Sequence, residues 1–131
     1  MRFPFRAMPE PGRVRPRPIV DVVVEGLDIA PQACLLDSGA SAVRMGAYVA
    51  ELVGLDLDEA PHSRIAVGGA IVDARLADVT LAVRDHRWEA RVWFCDPWVP
   101  AFGLLGLTGF FDHFRVTIAA YEEWFELEPI S

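Results

Sequence analysis

Short runs in which apolar and polar residues alternate recur through most of the chain, with turns rich in glycine or charge between them. Val20, Val22 and Val24 alternate with other side chains, and segments 79–83 and 88–94 repeat the pattern. A period of two places successive side chains on opposite faces of a strand. The chain is therefore predicted to be all-β, with its short strands arranged as a closed, barrel-like sheet.

Glycine and charged residues mark the ends of the other predicted strands and of a predicted helix. A strand at Gln32–Leu36 is predicted to run into Asp37, and a short helix is predicted at 45–53 with Gly54 as its C-terminal cap. A helical turn is predicted at 109–113. Two last strands, at 114–118 and 124–128, could extend the barrel or form an interface sheet.

The first 18 residues differ in composition from the rest. They hold five of the ten prolines and five of the twelve arginines against one acid. Because proline lacks an N–H donor and fixes φ, this segment is predicted to be an extended arm outside the strand ladders. It is either a flexible tail or an arm that wraps a partner subunit, unless it is removed by cleavage.

The charge and hydropathy of the chain argue against some classes of binding partner. The overall charge is −7, and the arm carries +4, so the body carries −11, which argues against nucleic acid as a partner. The apolar runs are too short or too rich in glycine to span a bilayer, and no secretory signal is visible, so a cytoplasmic protein is expected. Cys34 and Cys95 are then expected to be buried thiols, with a disulfide as the less favoured alternative.

Two short motifs stand far apart in the chain. Leu-Leu-Asp-Ser-Gly-Ala-Ser occupies 35–41, and Phe-Gly-Leu-Leu-Gly occupies 102–106. Between them, Val-Gly-Gly-Ala at 67–70 separates two apolar runs and predicts a tight hairpin whose tip could lie over a ligand. Asp37 is predicted at the rigid end of a strand, where Gly39 lets the backbone turn beside the carboxylate. The simpler alternative is an Asx turn with no chemistry.

The order of these motifs resembles that of the retropepsin family of aspartic proteases, especially its compact bacterial relatives. The family's acid motif is matched by Asp37, Ser38, Gly39 and Ala40, its flap by Val67, Gly68, Gly69 and Ala70, and the loop that supports the catalytic turn by Leu104, Leu105 and Gly106. The segment 109–117 is also similar to the bacterial members, and the resemblance covers about 17–129.

The resemblance implies a single-domain closed β-barrel of the retropepsin (acid protease) type at 19–131, with a flap hairpin and one or two short helices, preceded by the arm at 1–18. It implies a homodimer in which Asp37 of each chain activates a water molecule that hydrolyses a peptide bond, without metal or cofactor. The chain departs from the family in having Ser38 where threonine is commoner, and its flap lacks a clear polar side chain to grip substrate. The alternatives are a non-catalytic dimeric peptide-binding or scaffolding module with the same fold, and a domain active only with another partner.

Other candidate residues are weighed less heavily. His62, His86 and His113 are scattered and do not have the spacing of metal ligands. Trp98 is interpreted as a core or interface aromatic, with a place in the substrate cleft as the alternative. Asp112 is expected to cap a turn or form an ion pair.

Overall fold

The computed structural model describes residues 1–10 and 13–130. Twelve strands and one helix are assigned in these ranges. The strands are β1 (Arg2–Pro4), β2 (Arg6–Glu10), β3 (Arg13–Arg17), β4 (Ile19–Val24), β5 (Gln32–Leu36), β6 (Val43–Gly46), β7 (His62–Val67), β8 (Ala70–Val83), β9 (His86–Asp96), β10 (Gly103–Leu105), β11 (Phe114–Ala119) and β12 (Trp124–Pro129), and the helix is α1 (Ala47–Leu52).

Six strands close into a barrel. Their order is β4-β5-β10-β6-β9-β8, and β4 also pairs antiparallel with β8 through Val23 with Ala82 and Val24 with Leu81. Strand β7 is attached to β8 alone and forms a hairpin that extends from the barrel wall. The predicted all-β closed barrel and the hairpin are confirmed.

The period-two pattern explains which side chains fill the barrel. Val20, Val22 and Val24 of β4 are buried whereas Asp21 is exposed, and β9 alternates in the same way. Burying one such valine or leucine stabilises the fold by about 1.5–3 kcal/mol, so a register slip of one residue would be costly. The β-periodicity of the sequence therefore determines both the sheet and its inner face.

An aromatic cluster closes one part of the core. The Trp88 ring meets the Phe114 ring edge-on at 4.9 Å, and Phe110 stacks on Phe114 at 4.8 Å. The Trp88 indole N–H donates to the carbonyl of Gly109 at 2.8 Å, so the single polar atom of this large side chain is satisfied inside the core.

Helix α1 is shorter than predicted. Residues 45–46 belong to β6, where Met45 is buried opposite Phe94 of β9, because strand pairing prevails over local helix propensity. The predicted C-terminal cap is confirmed: Gly54 has φ +77°, its N–H donates to Glu51 O, and the Leu55 N–H donates to Ala50 O. These are the two hydrogen bonds of a Schellman motif. The segment 109–113 forms hydrogen-bonded turns rather than a regular helix.

The prediction that residues 1–18 lie outside the strand ladders is wrong. Strand β1 pairs with β12, which also pairs with β11, and β2 pairs with β3 as a separate two-stranded ribbon. Proline fits because β1 is an edge strand and both ribbon strands have a free edge, so a missing N–H need not interrupt a ladder. The Met1 amino group donates to Leu127 O at 2.9 Å, and Phe3 stacks on Phe125 at 5.1 Å.

The beginning of the chain is therefore held against its own C-terminal strand. The two last predicted strands are confirmed as β11 and β12, in a sheet with β1 rather than in the barrel. The division into an arm at 1–18 and a domain at 19–131 stays a prediction. Within the described ranges, no helix is long and apolar enough to cross a membrane.

Candidate active site

Asp37 lies where β5 ends and the chain turns. Its N–H donates to Leu105 O at 3.0 Å, which extends the sheet pairing into the turn. Its Oδ1 accepts the Gly39 N–H at 2.9 Å, and its carbonyl accepts the Ala40 N–H at 3.1 Å. Asp37 is half-buried and Ser38 and Gly39 are exposed. The carboxylate is thus held in a fixed orientation at the surface of a single chain.

Strand β10 places the glycine-containing motif at 102–106 beside the Asp37 motif at 35–41. It lies between β5 and β6 and runs parallel to β5, with Gly103 opposite Cys34 and Leu105 opposite Leu36. A Cβ atom on Gly103 would lie 2.9 Å from the Cys34 sulfur, so glycine is needed for this close approach. Residues 103–106 and 35–41, distant in sequence, therefore form one structural unit, which we call the acid loop unit.

Gly106 fixes the loop that follows Asp37. A Cβ at this position would lie 2.4 Å from the Ala42 carbonyl oxygen and 2.7 Å from that of Ala40. Both contacts are with backbone, so no side-chain rotation could relieve them. The Leu107 N–H donates to Ala40 O and the Thr108 N–H to Ser41 O, each at 3.0 Å. Ala40 is itself buried, and the predicted supporting role of this segment agrees with its position.

The glycine pair occupies the tip of the β7–β8 hairpin, as the sequence predicts. Val67 pairs with Ala70, and between them Gly68 and Gly69 have φ of +56° and +83°. Two consecutive positive φ values are typical of a type I′ turn. No atom lies within 4 Å of the Cβ position of either glycine, so the tip is open on all sides.

A small apolar cluster supports the base of this hairpin. We call it the flap-base cluster; its buried members are Val72, Ala74 and Cys95, and Ile65, Val67, Trp93 and Trp98 pack against them. Trp98 therefore packs against residues of the hairpin strands. This contact agrees with the interpretation of Trp98 as a core or interface aromatic.

Arg44 joins the hairpin to the acid loop unit. Its Nη1 donates to Ala66 O of β7 at 2.8 Å, and its Nη2 donates to the Ser41 hydroxyl at 3.2 Å. Its Nε is buried and has no hydrogen-bond partner. The sequence analysis missed this residue, although an arginine between the buried Val43 and Met45 is the signal that could have identified it.

The two thiols are buried and form no disulfide, as predicted. Burial raises the pKa of Cys34 to about 12, and burial likewise raises the pKa of Cys95 to about 11, where the Arg44 charge acts in the opposite direction. Both thiols are therefore protonated near neutral pH, which excludes either one as a ready nucleophile.

The other candidate acids and histidines make contacts of their own, and none of the contacts described for them involves the Asp37 side chain. Asp112 accepts the Gly109 N–H at 2.9 Å and contacts His113 at 3.6 Å, which confirms its expected turn-capping role. His62 contacts Asp73 on the hairpin at 3.4 Å. Among the described residues, no three His, Cys, Asp or Glu side chains are close enough together to hold a metal ion.

Two surface depressions are formed by other parts of the chain. One of about 940 Å³ is lined by residues of the β4–β5 and β8–β9 turns, including Glu25, Ile29 and Arg84, and another of about 360 Å³ is lined by Val53, Leu55 and Glu89 among others. Asp37 lines neither of these two depressions.

Comparisons with known proteins agree with this geometry. No family model and no curated protein sequence matches the chain. Among solved structures, a retropepsin-like aspartic protease from Rickettsia conorii matches with a TM-score of 0.62 and 16% identity over 97% of this chain and 89% of that one. EIAV protease in complex with the inhibitor HBY-793 matches with a TM-score of 0.54 and 21% identity over 69% of this chain and 81% of that one.

At these identities the likeness concerns the fold. The match to the Rickettsia structure extends over nearly the whole chain, and the closed barrel is the main feature of the chain described above. The protein therefore has the retropepsin fold, as the order of its motifs predicts.

Proposed function

We propose that the protein is a homodimeric aspartic endopeptidase in which Asp37 of each chain forms the catalytic pair. The observation that carries this proposal is the setting of Asp37. It stands at the end of a core strand, with its carboxylate bound by the Gly39 N–H and its turn fixed against residues 105–108. A catalytic carboxylate needs this kind of rigid support, since small displacements are costly in rate.

The need for two copies follows from the chemistry. The chain contains one acid in an apolar–Asp–Ser–Gly frame, and a single carboxylate cannot both take a proton from water and donate one to the substrate. A two-fold axis beside Asp37 supplies the second carboxylate from an identical chain. Ser38 and Gly39 are exposed, so they are available to contact the partner's loop across such an axis.

The two carboxylates would share one proton. Like charges at close range cannot both ionise easily, so one Asp37 carboxyl of the pair holds the proton while the other is charged. The charged carboxylate takes a proton from a water molecule whose oxygen attacks the peptide carbonyl. The protonated carboxyl donates to the carbonyl oxygen as negative charge develops there, and a proton then passes to the leaving amine. Activity should be highest at mildly acidic pH, where the pair holds a single proton.

The hairpin supplies the cover for a bound peptide. An extended chain can bind as an added strand, with backbone hydrogen bonds giving affinity and alternate side chains giving selectivity. Val67, Gly68, Gly69 and Ala70 form the tip that would close over it. Because the two glycines have no side chains, the backbone of the tip can approach the backbone of the substrate.

The test is cleavage of an unstructured peptide library between pH 4 and pH 7 by the natural protein and by Asp37→Asn. Asparagine keeps an oxygen that can accept the Gly39 N–H, so the turn is retained while the acid is lost. We expect cleavage to fall by at least about 10³-fold, since both acid and base catalysis depend on the pair. Identification of the cleavage products by mass spectrometry gives the specificity in the same experiment.

Asp56→Asn is the matched control. Asp56 Oδ1 likewise accepts the backbone N–H of the residue two positions on, Asp58, at 3.0 Å, and it lies outside the acid loop unit and the turns that follow that unit, so this variant should cleave like the natural protein. Cleavage that survives in Asp37→Asn would contradict the proposal. A folded dimer of the natural protein that cleaves no peptide would favour the peptide-binding module instead.

A further inference from the structure

Arg44 has an unusual position for an arginine in a strand of the barrel. Its neighbours Val43 and Met45 point into the core, and its own side chain emerges between β7 and the acid loop unit. The two hydrogen bonds from Nη1 and Nη2 lie at exposed positions, whereas Nε is buried without a partner. One edge of the guanidinium is thus enclosed and the other faces solvent.

Among the described residues, no carboxylate lies within ion-pair distance of Arg44. Other arginines do have such partners, including Arg2, Arg6, Arg64, Arg87 and Arg91. The acceptors of Arg44 are instead a carbonyl oxygen and a hydroxyl oxygen, both neutral. A guanidinium is always charged near neutral pH, and a partly enclosed one is stabilised most by a carboxylate, which its planar fork can bind with two parallel hydrogen bonds.

The position of this charge places it beside the proposed substrate path. Ala66 directly precedes the Val67–Ala70 tip of the flap, and Ser41 lies in the loop that begins at Asp37. A peptide held between the flap and Asp37 passes between these two anchoring points. A carboxylate on that peptide can therefore reach the solvent-facing edge of the guanidinium.

We propose that Arg44 determines specificity by binding an acidic side chain of the peptide substrate close to the scissile bond. This inference rests on the proposed function, and it names the substrate class as peptides that carry Glu or Asp at one position near the cleaved bond.

The test uses a cleaved peptide in which Gln is replaced by Glu at each position within three residues of the scissile bond. At pH 6 we expect Glu at one position to raise kcat/KM by about tenfold or more over Gln. The preference should fall to about twofold near pH 3.5, because a Glu side chain with a pKa of about 4.3 is then mostly neutral. This pH comparison needs no variant, so it is unaffected by any folding defect.

Variants assign the preference to Arg44. Arg44→Gln should reduce the Glu preference to about onefold, and Arg44→Lys should restore part of it, because lysine keeps the charge without the fork. Arg91→Gln is the control for charge: it removes the same charge at an exposed site paired with Asp78, and should keep the full preference. A merely structural role of Arg44 would lower the cleavage of Glu and Gln peptides equally.

Binding of the same peptides to the Asp37→Asn protein, followed by fluorescence anisotropy, separates this inference from the proposed catalysis. Cleavage without any Glu preference, or a preference that persists in Arg44→Gln, overturns the role of Arg44 and leaves the proposed function standing. If the Asp37→Asn protein binds Glu peptides more tightly than Gln peptides, but the natural protein cleaves neither, the role of Arg44 is supported and the proposed catalysis is overturned. No binding and no cleavage of either peptide overturns both.

Discussion

The acid loop unit and the β7–β8 hairpin, which we propose as the flap, differ in how completely their conformation is determined. Around Asp37, hydrogen bonds from residues 37, 39, 40, 107 and 108 fix the loop, and Gly106 is so enclosed that a single methyl group would meet backbone 2.4 Å away. At the flap tip, Gly68 and Gly69 have no neighbour within 4 Å of their Cβ positions. The hairpin is supported below by three buried side chains and by the bonds of Arg44.

The contrast matches the two tasks that we propose for these regions. A carboxylate pair must keep its geometry to within a fraction of an ångström, whereas a cover must open and close around varied peptides. Low contact density and an open backbone lower the free energy of local opening, and these properties are found at the flap and not at the acid loop unit.

The largest effect is expected from a substitution in the acid loop unit, the more rigid of the two regions. In Gly106→Ala the new methyl group must push apart the backbone segments that carry Ala40 and Ala42. We expect the free energy of unfolding to fall by about 3 kcal/mol, as for severe overpacking. At a temperature where the variant is folded, kcat/KM should fall by about 100-fold, because the loop of Asp37 is displaced. Urea unfolding and peptide cleavage measure the two quantities, and a near-neutral result in both would contradict the tight packing seen here.

A smaller effect is expected from the same substitution at the flap. Gly69 has φ +83° in open space, so Gly69→Ala introduces only the strain of a left-handed alanine, about 1–2 kcal/mol. The thermal midpoint should fall by only a few degrees, and less than in Gly106→Ala, because the tip can adjust without disturbing the barrel. The effect should instead appear as a change in KM for peptides. A loss of stability equal to that of Gly106→Ala would mean that the flap is as rigid as the acid loop unit.

The smallest expected difference is between the reactivities of the two cysteines, and it can be measured in the natural protein. Cys34 lies under the acid loop unit on β5, and Cys95 lies in the flap-base cluster. Burial raises the pKa of both thiols well above 8, to about 12 for Cys34 and about 11 for Cys95, so alkylation at pH 8 has to await local opening. Cys95 should react with iodoacetamide about tenfold faster than Cys34, as followed by peptide mapping. Equal rates would show that both regions open together, and faster reaction of Cys34 would reverse the proposed order.

Much of the fold could be predicted from local pattern. Alternation in β4 and β9, the Gly68-Gly69 turn and the glycine after α1 are local signals, and each gave the correct element. The meeting of residues 35–41 with 103–106 followed from the resemblance of motifs, since no local rule indicates that β10 lies between β5 and β6. The proposed roles of these residues stay predictions.

The failures have physical causes of their own. The prolines in residues 1–18 predict a segment without ladder pairing, but an edge strand can place a missing N–H on its unpaired side. The start of α1 was set too early because Met45 gains more by packing opposite Phe94 than by entering the helix. Arg44 was missed because its significance depends on two acceptors, Ala66 O and the Ser41 hydroxyl, whose positions only the folded chain brings together.

The central claim is that one catalytic site is shared by two chains, and a mixing experiment tests it most directly. Natural and Asp37→Asn chains are mixed in varied ratio at constant total concentration, well above the dimer dissociation constant, and allowed to exchange. If each site needs two Asp37 side chains, activity follows the square of the natural fraction, so an equal mixture retains about one quarter of the activity. A linear decline, with about one half retained in the equal mixture, would mean that each chain acts alone and would contradict the account.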